Sequence, residues 1–87
     1  MSTRVIRFTA DWCEVCKDYL PTFVRVMEDY SHYEVQSVDI QTDDGVEMAS
    51  DYGISGVPTT IIFKDETYAI KVGAIPEEDL RGFLDAS

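Results

Sequence analysis

Basic residues are scarce in this chain. Its 87 residues include 7 lysines and arginines against 17 aspartates and glutamates, a formal net charge of −10. So acidic a surface repels phosphate backbones and anionic lipids, which argues against nucleic acid or a membrane as a partner. No run approaches the roughly 18–20 apolar residues that span a bilayer. Arg4 and Arg7 break up the early hydrophobic residues, so no signal peptide is expected and a reducing cytoplasm is the expected location. Metal ligands are equally scarce. Structural zinc usually takes about four Cys or His donors, and this chain has only Cys13, Cys16 and His32. There is no Gly-rich phosphate loop. No metal and no cofactor are therefore expected. Linkers, repeats and low-complexity stretches are also missing, so residues 1–87 read as one domain, expected to be monomeric.

What is present belongs to a folded protein. Apolar residues make up 45% and aromatics 11%, whereas disordered acidic segments are poor in both. Arg4–Phe8 is short and β-branched, which predicts an opening strand. Tyr19, Leu20, Phe23, Val24, Val26 and Met27 recur at spacings of three and four, which predicts a helix from Cys13 to about Tyr30, kinked at Pro21. Val35, Val38 and Ile40 suggest a second strand. The Gln41–Gly45 stretch reads as a turn before a short helix ending near Tyr52. Thr59–Phe63 and Tyr68–Val72 flank a four-residue polar link without glycine, as in an antiparallel hairpin. Pro76 and the acids Glu77, Glu78 and Asp79 open a last helix that buries Leu80, Phe83 and Leu84. The order is β-α-β-α-β-β-α, an α/β fold.

Cys13 and Cys16 form a Cys-x-x-Cys pair with three possible roles. As a staple it closes so short a loop that it would contribute roughly 2 kcal/mol. As a metal site it lacks ligands. As a redox couple it is well placed, because Cys13 falls where a strand gives way to a helix. The partial positive charge and free N–H groups of a helix N-terminus favour a thiolate. That makes Cys13 the candidate nucleophile, and Cys16, one turn further in, the candidate resolving thiol.

The segment Phe8-Thr9-Ala10-Asp11-Trp12-Cys13-Glu14-Val15-Cys16-Lys17 resembles the thioredoxin family, whose usual motif is Trp-Cys-Gly-Pro-Cys-Lys. Further matches are Pro21, the stretch Tyr52–Thr59, and Lys71-Val72-Gly73-Ala74, so the resemblance covers nearly the whole chain. It implies a minimal thioredoxin-like fold, a central four-stranded mixed sheet in the order 2-1-3-4 flanked by three helices. It also implies a cis bond between Val57 and Pro58, and a loop there whose backbone binds an extended substrate segment. Trp12, Gly56 and Gly73 would complete an apolar docking rim around an exposed thiol. For Trp12 the alternative is an ordinary core aromatic.

Three departures from the family stand out. The opening strand corresponds to what would be the family's second, so the usual first strand and helix are not expected in this fold. Glu14 and Val15 replace Gly and Pro between the cysteines, so Glu14 places a negative charge beside the thiolate, with Lys17 the nearby cation of the motif. Where the family has a buried Asp and a Lys on the next strand, this chain has Arg7 and Ser37. Arginine cannot act as a base. Arg7 either lowers the thiol pKa electrostatically or pairs with an acid such as Asp39 or Asp44. The remaining acids, Asp43, Asp44, Glu47, Asp51 and Glu77–Asp79, read as solvated surface.

The resemblance implies a reductant of protein disulfides, recharged by a thioredoxin reductase or by glutathione. A glutaredoxin-like, glutathione-dependent enzyme and a redox-inactive binding module using the same rim are the alternatives.

Overall fold

The first strand, β1 (Thr3–Thr9), runs through the middle of the sheet. Its residues Val5, Ile6, Arg7 and Phe8 are all buried, the signature of a strand covered on both faces. Val5 joins a core with Tyr19, Phe23, Val26, Ile62, Leu80 and Leu84. Ile6 and Phe8 point the other way, into a core with Val38, Ala49 and Ile61. Fully burying an aliphatic or aromatic side chain stabilises by about 1.5–3 kcal/mol, so this strand anchors both layers. The computed structural model describes residues 3–85; the single-domain expectation for 1–87 also takes in residues 1, 2, 86 and 87, which lie outside the described residues.

The remaining elements are α1 (Glu14–Glu28), β2 (Glu34–Asp39), α2 (Asp43–Asp51), β3 (Thr59–Lys64), β4 (Thr67–Val72) and α3 (Glu77–Asp85). The sheet order is β2-β1-β3-β4. β1 pairs parallel with β2, placing Arg7 opposite Ser37, and antiparallel with β3, placing Arg7 opposite Thr60. β3 and β4 form the hairpin. This is the minimal thioredoxin-like arrangement, with α1 and α3 on one face of the sheet and α2 on the other.

Several boundaries differ from the sequence expectation. Helix α1 begins at Glu14 and ends at Glu28, because Cys13 is its N-cap in extended conformation and Asp29 its C-cap. The chain stays helical through Pro21. Leu20 and Val24 are exposed, since only the stripe of Cys16, Tyr19, Phe23, Val26 and Met27 faces the sheet. Ile40 lies past the end of β2. Asp43, Asp44 and Gly45 are the first turn of α2 rather than a loop, because the Thr42 hydroxyl caps the helix by accepting from the Gly45 N–H at 2.9 Å. The hairpin turn is two residues, Asp65 and Glu66. Asp65 adopts φ 54°, a left-handed conformation that aspartate tolerates without glycine. In α3, Leu80 and Leu84 are fully buried and Phe83 only partly.

Helix α3 is tied to α1 by a surface ion network. Glu77 accepts from Arg25 and Arg81, and Arg81 also reaches Asp29 at 2.8 Å. Exposed pairs of this kind are screened by water and add little to stability.

Two glycines give opposite predictions. A Cβ on Gly45 would collide with the Asp39 carbonyl, so Gly45→Ala is expected to destabilise by about 1–3 kcal/mol. A Cβ on Gly82, inside α3, meets nothing within 4 Å, so Gly82→Ala is expected to stabilise by roughly 0.8–1 kcal/mol. Urea denaturation of both variants checks the two signs.

Candidate active site

The strand-to-helix connection that presents the cysteines is held at both ends. The Cys13 N–H donates to the Ala10 carbonyl at 3.2 Å, and the Asp11 N–H donates to Gln41 Oε1 at 2.9 Å. Cys13 then takes the N-cap position, which leaves the following N–H groups without partners inside the helix. One of these, from Cys16, donates to Cys13 Sγ at 3.1 Å. A sulfur in this position receives a hydrogen bond and feels the positive end of α1, two effects that favour negative charge.

Cys13 and Cys16 are joined as a disulfide with their Cα atoms 5.2 Å apart, within the normal span. Cys16 is 2% exposed and Cys13 6%. The outer sulfur is thus more enclosed than the expected exposed thiol, because Ala10, Ile40 and Val57 pack around the pair. Opposite, the Val57–Pro58 bond is cis, and the Val57 carbonyl oxygen lies 3.7 Å from Cys13 Sγ. Pro58 is fully buried, and its carbonyl accepts from the Gly73 N–H at 2.8 Å. Gly73 has φ 90°, a conformation that side-chain-bearing residues rarely adopt. Gly56 supports the same loop through its carbonyl, which accepts from Thr59 Oγ1 at 2.7 Å.

Cys13, Cys16, Val57, Pro58 and Gly73 therefore come together, and Gly56 lies exposed on the same loop. Trp12, next to Cys13, is 65% exposed, which rules out the core-aromatic alternative. Val72, beside Gly73, is 78% exposed. Val72 sits inside the Lys71–Ala74 motif, yet nothing in its type marks it as part of a site. The same holds for Ala10, and Ile40, expected in a strand, instead forms part of the wall of the site.

The charged candidates separate. Glu14 and Lys17 pair with each other at 3.3 Å in solvent, so the acid between the cysteines is offset by a neighbouring cation. Arg7 is 6% exposed and lies on the α1 side of the sheet, its guanidinium 5.6 Å from the centre of the Phe23 ring. The expected pairing with Asp39 or Asp44 does not occur. Arg7 Nη2 donates instead to Ser37 Oγ at 3.0 Å, because the parallel register sets these residues side by side. Arg7 Nε has no hydrogen-bond partner. Burial lowers the Arg7 pKa, opposed by Tyr19, yet an arginine remains charged. Tyr19 stands one turn beyond Cys16 and shares a 2.9 Å hydrogen bond with Thr60 Oγ1. Burial raises its phenol pKa, while Thr60 and Arg7 pull it down. The apolar spacing that marks the helix was the sequence signal for Tyr19.

A redox-active cysteine couple at the head of a helix, facing a proline loop across a mixed sheet, defines a thiol–disulfide oxidoreductase of thioredoxin fold. The family model for thioredoxin matches residues 1–86. Thioredoxin 1 of Synechococcus elongatus is 37% identical over 82 residues, spanning 93% of this chain and 76% of that protein. The thioredoxin of Pseudomonas aeruginosa is 33% identical over 84 residues, spanning 95% and 77%. The X-ray structure of Fasciola hepatica thioredoxin superposes with a TM-score of 0.84 at 26% identity, covering 98% of this chain and 80% of the other. The chain belongs to the thioredoxin family, and its activity is protein-disulfide reduction. The comparisons favour neither a glutathione-dependent enzyme nor a redox-inactive module. No group of three or more metal-ligating side chains occurs among the described residues, and none of their helices is long and apolar enough to cross a membrane.

Because the Tyr19–Thr60 hydrogen bond is buried, Tyr19→Phe leaves the Thr60 hydroxyl without this partner. The expected loss of stability is about 1–2 kcal/mol, measured by denaturation of the oxidised protein.

Proposed function

We propose that Cys13 is the attacking thiolate and Cys16 the resolving thiol in a two-step reduction of protein disulfides. In the first step the Cys13 thiolate attacks one sulfur of a substrate disulfide. A Cys13–substrate bond forms, the substrate S–S bond breaks, and the departing thiolate takes a proton. In the second step the Cys16 thiolate attacks Cys13 Sγ, closing the intramolecular disulfide and releasing the second substrate sulfur. Two electrons have then passed from the dithiol to the substrate. The observation that carries these roles is the 3.1 Å bond from the Cys16 N–H to Cys13 Sγ, which stabilises negative charge on Cys13 alone. The lower exposure of Cys16 supports the same division of labour.

Substrate docking is assigned to the backbone at Val57 and to the rim formed by Trp12, Gly56, Pro58 and Gly73, with Val72 added. Exposed Trp12 and Val72 offer apolar contact, and a loop with exposed Gly56 gives an extended segment close access. Thioredoxins generally act on disulfide-containing proteins and receive electrons from thioredoxin reductase. That reductase is the proposed donor here, with glutathione the second candidate. A monomer in a reducing cytoplasm, without a metal or organic cofactor, completes the proposal.

Turbidity from insulin reduction by dithiothreitol tests the roles. Cys13→Ser is expected to reduce the rate to the uncatalysed background. Cys16→Ser is expected to trap a mixed disulfide that resists release, seen as a mass increment equal to the bound substrate. If Cys13→Ser traps substrate through Cys16 instead, the two roles are reversed.

A further inference from the structure

A buried cation, Arg7, lies on the α1 side of the sheet, and among the described residues no acid pairs with it. Arg7 approaches the site through a chain of direct neighbours. Its guanidinium lies over the Phe23 ring and acts electrostatically on Tyr19, whose own ring is 5.8 Å from that of Phe23. Tyr19 is one turn from Cys16 on the buried stripe of α1. Across the sheet Arg7 pairs with Thr60, the Tyr19 partner, two residues beyond Pro58. The groups that meet the guanidinium, Ser37, Phe23 and Tyr19, are neutral. The ion pairs found among the described residues, from Glu14–Lys17 to Arg25–Glu77 and Arg81–Asp29, all lie on the surface. Inside a protein such a charge is screened far less than one in water.

We propose that Arg7 is a positioning residue that uses its uncompensated buried charge to stabilise the reduced form of the Cys13–Cys16 couple, making the protein a weaker reductant than it would otherwise be. This deepens the Cys13–Cys16 cycle and rests on it. The oxidised pair is neutral. Reduction by an external dithiol adds two electrons and, when only one proton is taken up, leaves a thiol and a thiolate. The thiolate is the species that a fixed cation nearby favours. Oxidation leaves Arg7 facing neutral groups, with Nε lacking a hydrogen-bond partner. Glu14 carries the opposite sign, but it is exposed and paired with Lys17, so the buried charge decides the direction.

The test is the equilibrium constant for reduction in glutathione buffers at pH 7 for the wild type and four variants. Arg7→Met removes the charge and keeps the apolar stem. Ser37→Asp sets an acid against Arg7 Nη2 from an exposed position on an edge strand, where the fold tolerates it. Both are expected to lower the equilibrium constant for reduction at least tenfold, a potential about 30 mV more negative. Arg7→Lys, which restores a charge, and Ser37→Ala, which removes only the hydrogen bond, are expected to stay within threefold of wild type. Potentials of Arg7→Met and Ser37→Asp within twofold of wild type would overturn the proposal. So would a fall in Arg7→Met alone, which marks a packing role. Should Arg7→Met fail to fold, Ser37→Asp against Ser37→Ala decides by itself. Failure of the wild type to form the intramolecular disulfide is a different result and refutes the cysteine cycle, not the role of Arg7.

Discussion

The burial of β1 between two strands and two helical layers is the constraint on which the rest depends. It forces Val5 and Arg7 toward α1 and α3, and Ile6 and Phe8 toward α2, with no freedom to slip, because a one-residue shift would exchange the two sets. A strand so fixed must end at a fixed place. It ends at Thr9, and four residues later Cys13 caps α1. The position of the nucleophile is therefore set by the core rather than by the loop that carries it.

The same constraint accounts for the opposing loop. β3 pairs with β1 along Thr59–Lys64, so the residue just before it, Pro58, is drawn to the same end of the sheet as Cys13. β4 pairs in turn with β3, and its exit brings the Gly73 N–H to the Pro58 carbonyl. Three segments far apart in sequence meet because one central strand sets the register of its neighbours. The helix end then sets the surroundings of the sulfur it carries, through the N-cap position and the Cys16 N–H.

Much of this was legible in the sequence. The spacing of apolar residues, together with turn and helix-start residues, located all seven elements, and the Cys-x-x-Cys pair at a strand–helix junction marked the site. Boundaries were less legible because they depend on local hydrogen bonds. Thr42 converts an apparent turn into the first turn of α2, and Asp65 supplies the left-handed residue that the hairpin seemed to lack. Arg7 was identified as unusual, but its partner was not, because a charge invites the expectation of an acid. Strand register gave it Ser37 instead. Leu20 and Val24 mark the helix correctly but are exposed, because consecutive apolar positions on a helix satisfy more than one stripe. Val72 and Tyr19 carried no chemical signal of their own; only the fold shows what they stand beside.

The central claim is that the geometry around Cys13 selects its thiolate. The most direct measurement is the pH titration of the reduced protein, following ultraviolet thiolate absorbance with Cys16→Ser as background so that only Cys13 is seen. The N-cap position, the donated Cys16 N–H and the Arg7 charge together predict a pKa clearly below the ordinary cysteine value of about 8.5. A Cys13 pKa at or above that value would contradict the account, since burial and the neighbouring Val57 carbonyl would then outweigh every feature assigned to activating the sulfur.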